Sequence, residues 1–127
     1  MSKGSGTSSF EDLLVWEKAH QFVLAVYKAT ECFLKTENFG LTSQFRRASV
    51  SIPANIAEGY KRLSKSEKLR FYNISQASLE ECRYFIILSR NLNYTDSETS
   101  ITLKEQIVEV SRMLNAYAKA IFDSKKS

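Results

Sequence analysis

From about residue 10 to residue 123, apolar residues recur at steps of three and four, the spacing of one face of an α-helix. The sharpest run is C-terminal. Leu103, Ile107, Val110, Leu114, Tyr117 and Ile121 alternate steps of four and three, an a/d seam that predicts one helix. Leu79, Cys82, Ile86 and Ser89 form a second seam. Phe71, Ser75, Ser78, Phe85 and Leu92 run beside it, which predicts a helix ending near Leu92. Phe45, Ala48, Ile52, Ile56 and Gly59-Tyr60 mark the core face of a helix starting near Leu41. A first helix is predicted from about Phe10 to Leu34. Its core stripe reads Leu13, Trp16, His20, Val23, Tyr27 and Thr30, widened by Leu14, Phe22, Ala25, Val26, Ala29 and Phe33.

Polar punctuation places the helix ends. Ser9 is a candidate N-cap for the first helix, with Glu11 and Asp12 in the turn where the helix dipole favours acids. Asn38 and Gly40 suit a stop and a turn, and Thr42 is the candidate cap of the second helix. Ser64-Lys65-Ser66-Glu67 has the form of a capping box, and so has Thr95-Asp96-Ser97-Glu98, although Ser97 or Ser100 could cap instead. Pro53, the only proline, falls inside the second helix. It removes an N–H and crowds the Ser49 carbonyl, so a kink is expected there, with Gly59 as the residue just past the end. The expected architecture is all-α: an up-down-up-down antiparallel four-helix bundle with a proline-kinked second helix. A flexible tail is expected over residues 1–9, the bundle over 10–123 and a frayed end over 124–127.

Composition narrows the class. A chain of 127 residues with 43% hydrophobic and 25% charged content suits a single globular domain. No apolar run approaches the roughly 18 residues of a membrane span, and the start lacks a signal-peptide core. Cys32 and Cys82 lie fifty residues apart among expected core positions, which favours reduced buried thiols and a cytoplasmic setting.

Charge singles out one quarter of the chain. The net charge is +4, yet residues 40–70 hold seven basic residues (Arg46, Arg47, Lys61, Arg62, Lys65, Lys68, Arg70) against Glu58 and Glu67. The rest of the chain is close to balanced.

Catalytic chemistry finds little support. A bundle di-iron site takes Glu from two helices and Glu-x-x-His from two more, whereas Glu17-x-x-His20 occurs once and His20 is the only histidine. Cys32 lies twelve residues from His20 on the same predicted helix, about 18 Å at the usual rise, too far to pair. No orienting group or oxyanion hole is apparent for Cys82, and no glycine-rich phosphate loop is present. The expectation is no enzyme, no cofactor and no metal.

The segment Thr42-Ser43-Gln44, Arg46-Arg47-Ala48 and Ser51-Ile52-Pro53-Ala54-Asn55-Ile56-Ala57-Glu58-Gly59, together with FEDLLVWEKAH near the start, resembles the four-helix-bundle proteins encoded in 23S rRNA intervening sequences, also called S23-type. The resemblance covers about residues 10–122. Phe45, where an aliphatic residue is usual, and a longer turn around Asp96–Ser100 depart from it. It implies a ring-like homopentamer with no established enzymatic activity. It also implies a shape similar to the accessory proteins of diversity-generating retroelements, which bind nucleic acid and a reverse transcriptase. Excess apolar surface on the first and third helices fits self-assembly.

The basic cluster is then the candidate interface, for RNA over DNA. Arg46-Arg47 and the 61–70 group stand roughly 20 Å apart along the second helix and make two patches. Tyr60, Phe71 and Tyr72 lie close enough in sequence to offer stacking to unpaired bases. The competing role is structural pairing, for instance of Arg46 or Arg47 with Glu58 or a neighbouring subunit's Glu80 or Glu81. Structural pairing is favoured for Arg46-Arg47 and nucleic-acid contact for the 61–70 group. A scaffold that binds a protein partner is the alternative function.

Overall fold

Local capping sets three of the four helix starts. The structure, a computed structural model, describes residues 9–125. It holds four helices and, among the described residues, no strand: α1 Leu14–Thr30, α2 Leu41–Lys61, α3 Lys65–Asn91 and α4 Ser97–Asp123. The expected flexible lead-in lies outside the described residues except for Ser9, as do the last two positions of the expected frayed end. The Ser64 hydroxyl accepts from the Glu67 N–H at 3.2 Å and opens α3. Asp96, not Thr95, caps α4, accepting from the Thr99 N–H at 2.8 Å, and this bond holds its carboxyl below the usual aspartate range. The cap of α2 is also not Thr42. The helix follows Gly40, and Glu37 reaches forward so that its Oε1 accepts from the Leu41 N–H at 3.0 Å.

The first helix differs most from expectation. Residues Phe10–Asp12 form a 3-10 turn capped by Ser9, Leu13 is extended, and α1 ends at Thr30 before a second 3-10 turn at Lys35–Glu37. Its buried face is Val15, Ala19, Phe22, Val23, Val26 and Thr30, whereas Leu14 and Tyr27 are exposed. Apolar residues surround this helix on nearly every side, so their periodicity could not fix its phase.

Each helix packs on two others: α1 against α2 and α4, and α3 against α2 and α4. Antiparallel pairing follows from which ends meet. Arg46 near the start of α2 bonds Thr30 at the end of α1, and Lys65 at the start of α3 bonds carbonyls at the end of α4. One core joins all four through Phe22, Phe45, Ile52, Ile56, Tyr72, Leu79, Ile107 and Leu114.

The α2–α3 contact is the tightest. Pro53 is buried within α2, which continues unbroken to Lys61. Across the interface the Ser75 hydroxyl donates to the Ile52 carbonyl at 2.8 Å, and the Ser78 hydroxyl to Ser51 Oγ at 2.8 Å. Asn55 Nδ2 donates to the Ser51 carbonyl and hydroxyl, which extends the same network. Gly59 does not end α2. It lies within the helix, buried against Tyr72.

α3 ends where Asn93 takes φ 62°, the left-handed conformation that asparagine tolerates better than most residues. Tyr94 N–H then donates to the Ser89 carbonyl and Asn93 N–H to that of Arg90, the pair of bonds that closes a Schellman motif.

Candidate nucleic-acid interface

The seven basic residues fall at opposite ends of α2, because Arg46 and Lys61 are fifteen residues, or roughly 22 Å of helix, apart. At the end where α1 stops, Arg46 crosses between helices. Its Nε donates to Thr30 Oγ1 at 2.8 Å and its Nη2 to the Tyr27 carbonyl at 3.3 Å. The guanidinium lies over the Tyr27 ring, 4.5 Å from its centroid. The last carbonyls of a helix lack intrahelical donors and carry the negative end of its dipole, so Arg46 is a cap for α1. Arg47 is exposed and makes no hydrogen bond or ion pair with another described residue.

At the other end, Lys68 Nζ donates to the carbonyls of Tyr60 at 2.8 Å and Gly59 at 3.3 Å. It caps α2, and partial burial lowers its pKa. Lys65 Nζ donates to the carbonyls of Phe122 at 3.0 Å and Ser124 at 2.8 Å, capping α4. Arg62 pairs with Glu58 at 2.7 Å and Arg70 with Glu67 at 3.5 Å. Both guanidinium groups also lie over the Phe71 ring, 4.6 and 4.5 Å from its centroid. Lys61 is exposed and, like Arg47, pairs with no other described residue. Three of the cations thus hold helix C-termini, two bracket Phe71, and two have no partner among the described residues.

Two open clefts adjoin the free cations. One, of about 480 Å³, is lined by Phe10, Tyr60, Lys61 and Arg62, with Ser9, Ala57 and Glu58 completing it. Phe10 is set there by an edge-on contact with Trp16, ring centroids 5.1 Å apart. The other, of about 590 Å³, lies beside Arg47 and is lined also by Tyr27, Asn38, Thr42, Ser43 and Arg46. Of the aromatics expected to stack bases, Tyr60 borders the first cleft and Phe71 is covered by arginines. Tyr72 is fully buried, its hydroxyl 3.5 Å from that of Tyr117, and burial drives its pKa far above the usual tyrosine range.

The remaining reactive side chains are scattered. The His20 ring stacks on Trp16, centroids 5.1 Å apart and nearly parallel. Cys82 is buried, and desolvation, then the Glu81 carboxylate, pushes its thiol up to about 12, so it is no nucleophile at neutral pH. Cys32 is exposed beyond the end of α1, contrary to its expected core position. Among the described residues, no three His, Cys, Asp or Glu side chains gather in a way that could hold a metal ion, and no helix is long and apolar enough to cross a membrane.

Comparison with known families gives the assignment. The family model described as 23S rRNA-intervening sequence protein matches residues 11–116. The chain belongs to this family. A crystal structure of an S23 ribosomal protein family member of unknown function from Bacteroides thetaiotaomicron VPI-5482 has the same fold, with a TM-score of 0.75 at 23% identity. The alignment covers 84% of this chain and 99% of that one. No curated protein matches the chain. Membership in the 23S rRNA-intervening sequence family accords with the motif around Pro53, whose small residues make the α2–α3 contact.

Two features of the site were not read from sequence. The role of Phe10 depends on the 3-10 turn at Phe10–Asp12 and the extended Leu13 that separate it from α1, which leave only a weak signal in residues 9–13. Carbonyl capping by Lys68 had a visible signal, since it reaches back only eight and nine residues across a short connection. Capping by Arg46 and Lys65 had none.

Proposed function

We propose that this protein is a non-enzymatic, cytoplasmic RNA-binding protein, working as a homopentameric ring and contacting RNA at the α2–α3 end of the bundle. The observation that supports this most directly is the cleft in which Lys61 and Arg62 stand beside Phe10 and Tyr60. Cations displace counterions from phosphates, and aromatic walls stack bases that are not paired. RNA loops present such bases, whereas duplex DNA keeps them inside, which favours RNA. Lys65, Lys68 and Arg70 lie at the same end of the bundle and add basic side chains to it. In a ring of five the cleft would recur, and affinity grows with the number of phosphates met.

The test is fluorescence anisotropy with a structured RNA across a salt series. Binding should weaken steeply with salt, and Lys61→Glu with Arg62→Glu should weaken it further and flatten the salt dependence. Salt-independent binding, or binding unmoved by the double variant, would overturn the assignment of this end. Sedimentation of the same samples tests the ring.

The second reading, a scaffold for a protein partner, is favoured by exposed apolar side chains. Phe39 is 99% exposed and Leu63 96%, and Ile74, Tyr84 and Ile87 also stand out from α3. No RNA binding at low salt, with a protein co-purifying at stoichiometric level, would decide for it.

A further inference from the structure

The cleft where α1 ends and α2 begins has features that the RNA reading does not use. It lies at the far end of α2 from Lys61, and among the described residues no acidic side chain lines it. Arg46 is held at one wall through Nε and Nη2, which leaves its Nη1 without a partner among the described residues. Arg47 stands at the same cleft, its guanidinium unpaired among the described residues.

The first turn of α2 supplies the rest. Glu37 occupies the Leu41 N–H and is itself held by Tyr94, whose hydroxyl donates to Glu37 Oε2 at 2.9 Å. The next two N–H groups, of Thr42 and Ser43, have no partner among the described residues, as first-turn donors usually lack one. Thr42 is only 5% exposed, yet its hydroxyl has no hydrogen-bond partner, and Thr42 and Ser43 both line the cleft. A buried hydroxyl without a partner costs stability unless something outside the chain satisfies it.

Donors of this kind call for an anion of definite size. A helix N-terminus offers N–H groups and a positive dipole end, and guanidinium groups bind phosphoryl oxygens in pairs. Asn38 adds an amide at the same wall. We infer that this cleft binds one phosphate monoester group, with Arg47 and the Thr42 hydroxyl as its determining contacts and Arg46 as the fixed wall. The inference does not depend on RNA binding at the α2–α3 end. The ester's source is either the 5′ end of a nucleic acid strand or a free nucleotide.

The full-length chain, labelled with 15N, should be titrated with inorganic phosphate at constant ionic strength, reading amide shifts. Saturable shifts are expected at Thr42 and Ser43. Arg47→Ala should weaken binding by about tenfold or more, as loss of a charge-assisted pair does. Thr42→Val, which keeps the shape, should weaken it by several-fold, and Lys61→Glu should leave it unchanged. A second arm compares a 5′-phosphorylated oligonucleotide, its 5′-hydroxyl twin and a nucleoside monophosphate. Preference for the phosphorylated strand names a nucleic acid end, and equal affinity for the mononucleotide names a free nucleotide. Each supports the site. Phosphate shifts absent from Thr42 and Ser43, binding indifferent to Arg47→Ala, or equal affinity for the phosphorylated and hydroxyl strands would overturn it. Loss of RNA binding in Lys61→Glu with phosphate binding intact would separate the two sites.

Discussion

Gly59 of α2 lies so near Tyr72 of α3 that a Cβ built on it would stand 2.5 Å from Cε1 and 3.0 Å from Cδ1 of the ring. The glycine is therefore a contact surface for a fully buried aromatic, and it lets two helix backbones approach closely. The ring is fully buried and also meets Tyr117, with centroids 5.2 Å apart.

Gly59→Ala should lower stability by about 1–3 kcal/mol, the usual cost of overpacking a close-packed core. Urea unfolding followed by circular dichroism measures it. Replacing the ring as well, in Gly59→Ala with Tyr72→Leu, should give a loss smaller than the sum of the two single losses. Strict additivity would mean the alanine's cost does not come from this contact.

Capping and ligand contact separate by variant. Lys65→Met and Lys68→Met each remove a donor from terminal carbonyls, and each should cost about 1 kcal/mol of stability. Their RNA affinity, measured well below the melting temperature, should fall less than that of Lys61→Glu. A larger fall would make these lysines contacts for RNA in addition to caps.

The two cysteines should differ sharply toward a thiol reagent. At about pH 7.5, exposed Cys32 should react within minutes. Cys82, with its thiol pushed up to about 12, should react only on unfolding. Mass spectrometry after timed quenching reads both sites, and early labelling of Cys82 would contradict a closed α3 core.

Glu37 links acid stability to the start of α2. Its carboxyl is held below the usual glutamate range, first by the Leu41 N–H and then by the Tyr94 hydroxyl. A depressed folded pKa stabilises fully above the unfolded value and is lost as pH falls through the folded one. Thermal melting of wild type and Glu37→Gln should therefore differ near neutral pH and converge in acid, below the ordinary glutamate pKa of about 4.3. A gap that persists undiminished in strong acid would assign the effect to something other than this carboxylate.

Much of the scaffold was legible because its signals are local or strictly periodic. The α4 seam buries Leu103, Ile107, Val110 and Leu114, with Tyr117 and Ile121 partly covered. Ser64 caps α3, and Asn93 and Tyr94 close it, each within a few residues of its partner. The α1 face was misread because Leu14, Trp16 and Tyr27 blur its stripe. Between helices, Lys18 of α1 lies 3.8 Å from Glu109 of α4.

What the sequence alone determined was the all-helical class, the four helices with their approximate ends, the family motif around Pro53, and the gathering of positive charge between residues 40 and 70. Which of those charges is free was decided only by the tertiary structure. Arg46 is spoken for by a residue 16 positions away, and Lys65 by carbonyls 57 and 59 positions away. No window of sequence contains such a pairing. A helix end exposes its carbonyls to whatever neighbour the bundle sets beside it, and in this fold the neighbours are lysine and arginine, leaving Lys61 and Arg47 without a partner among the described residues at opposite ends of α2.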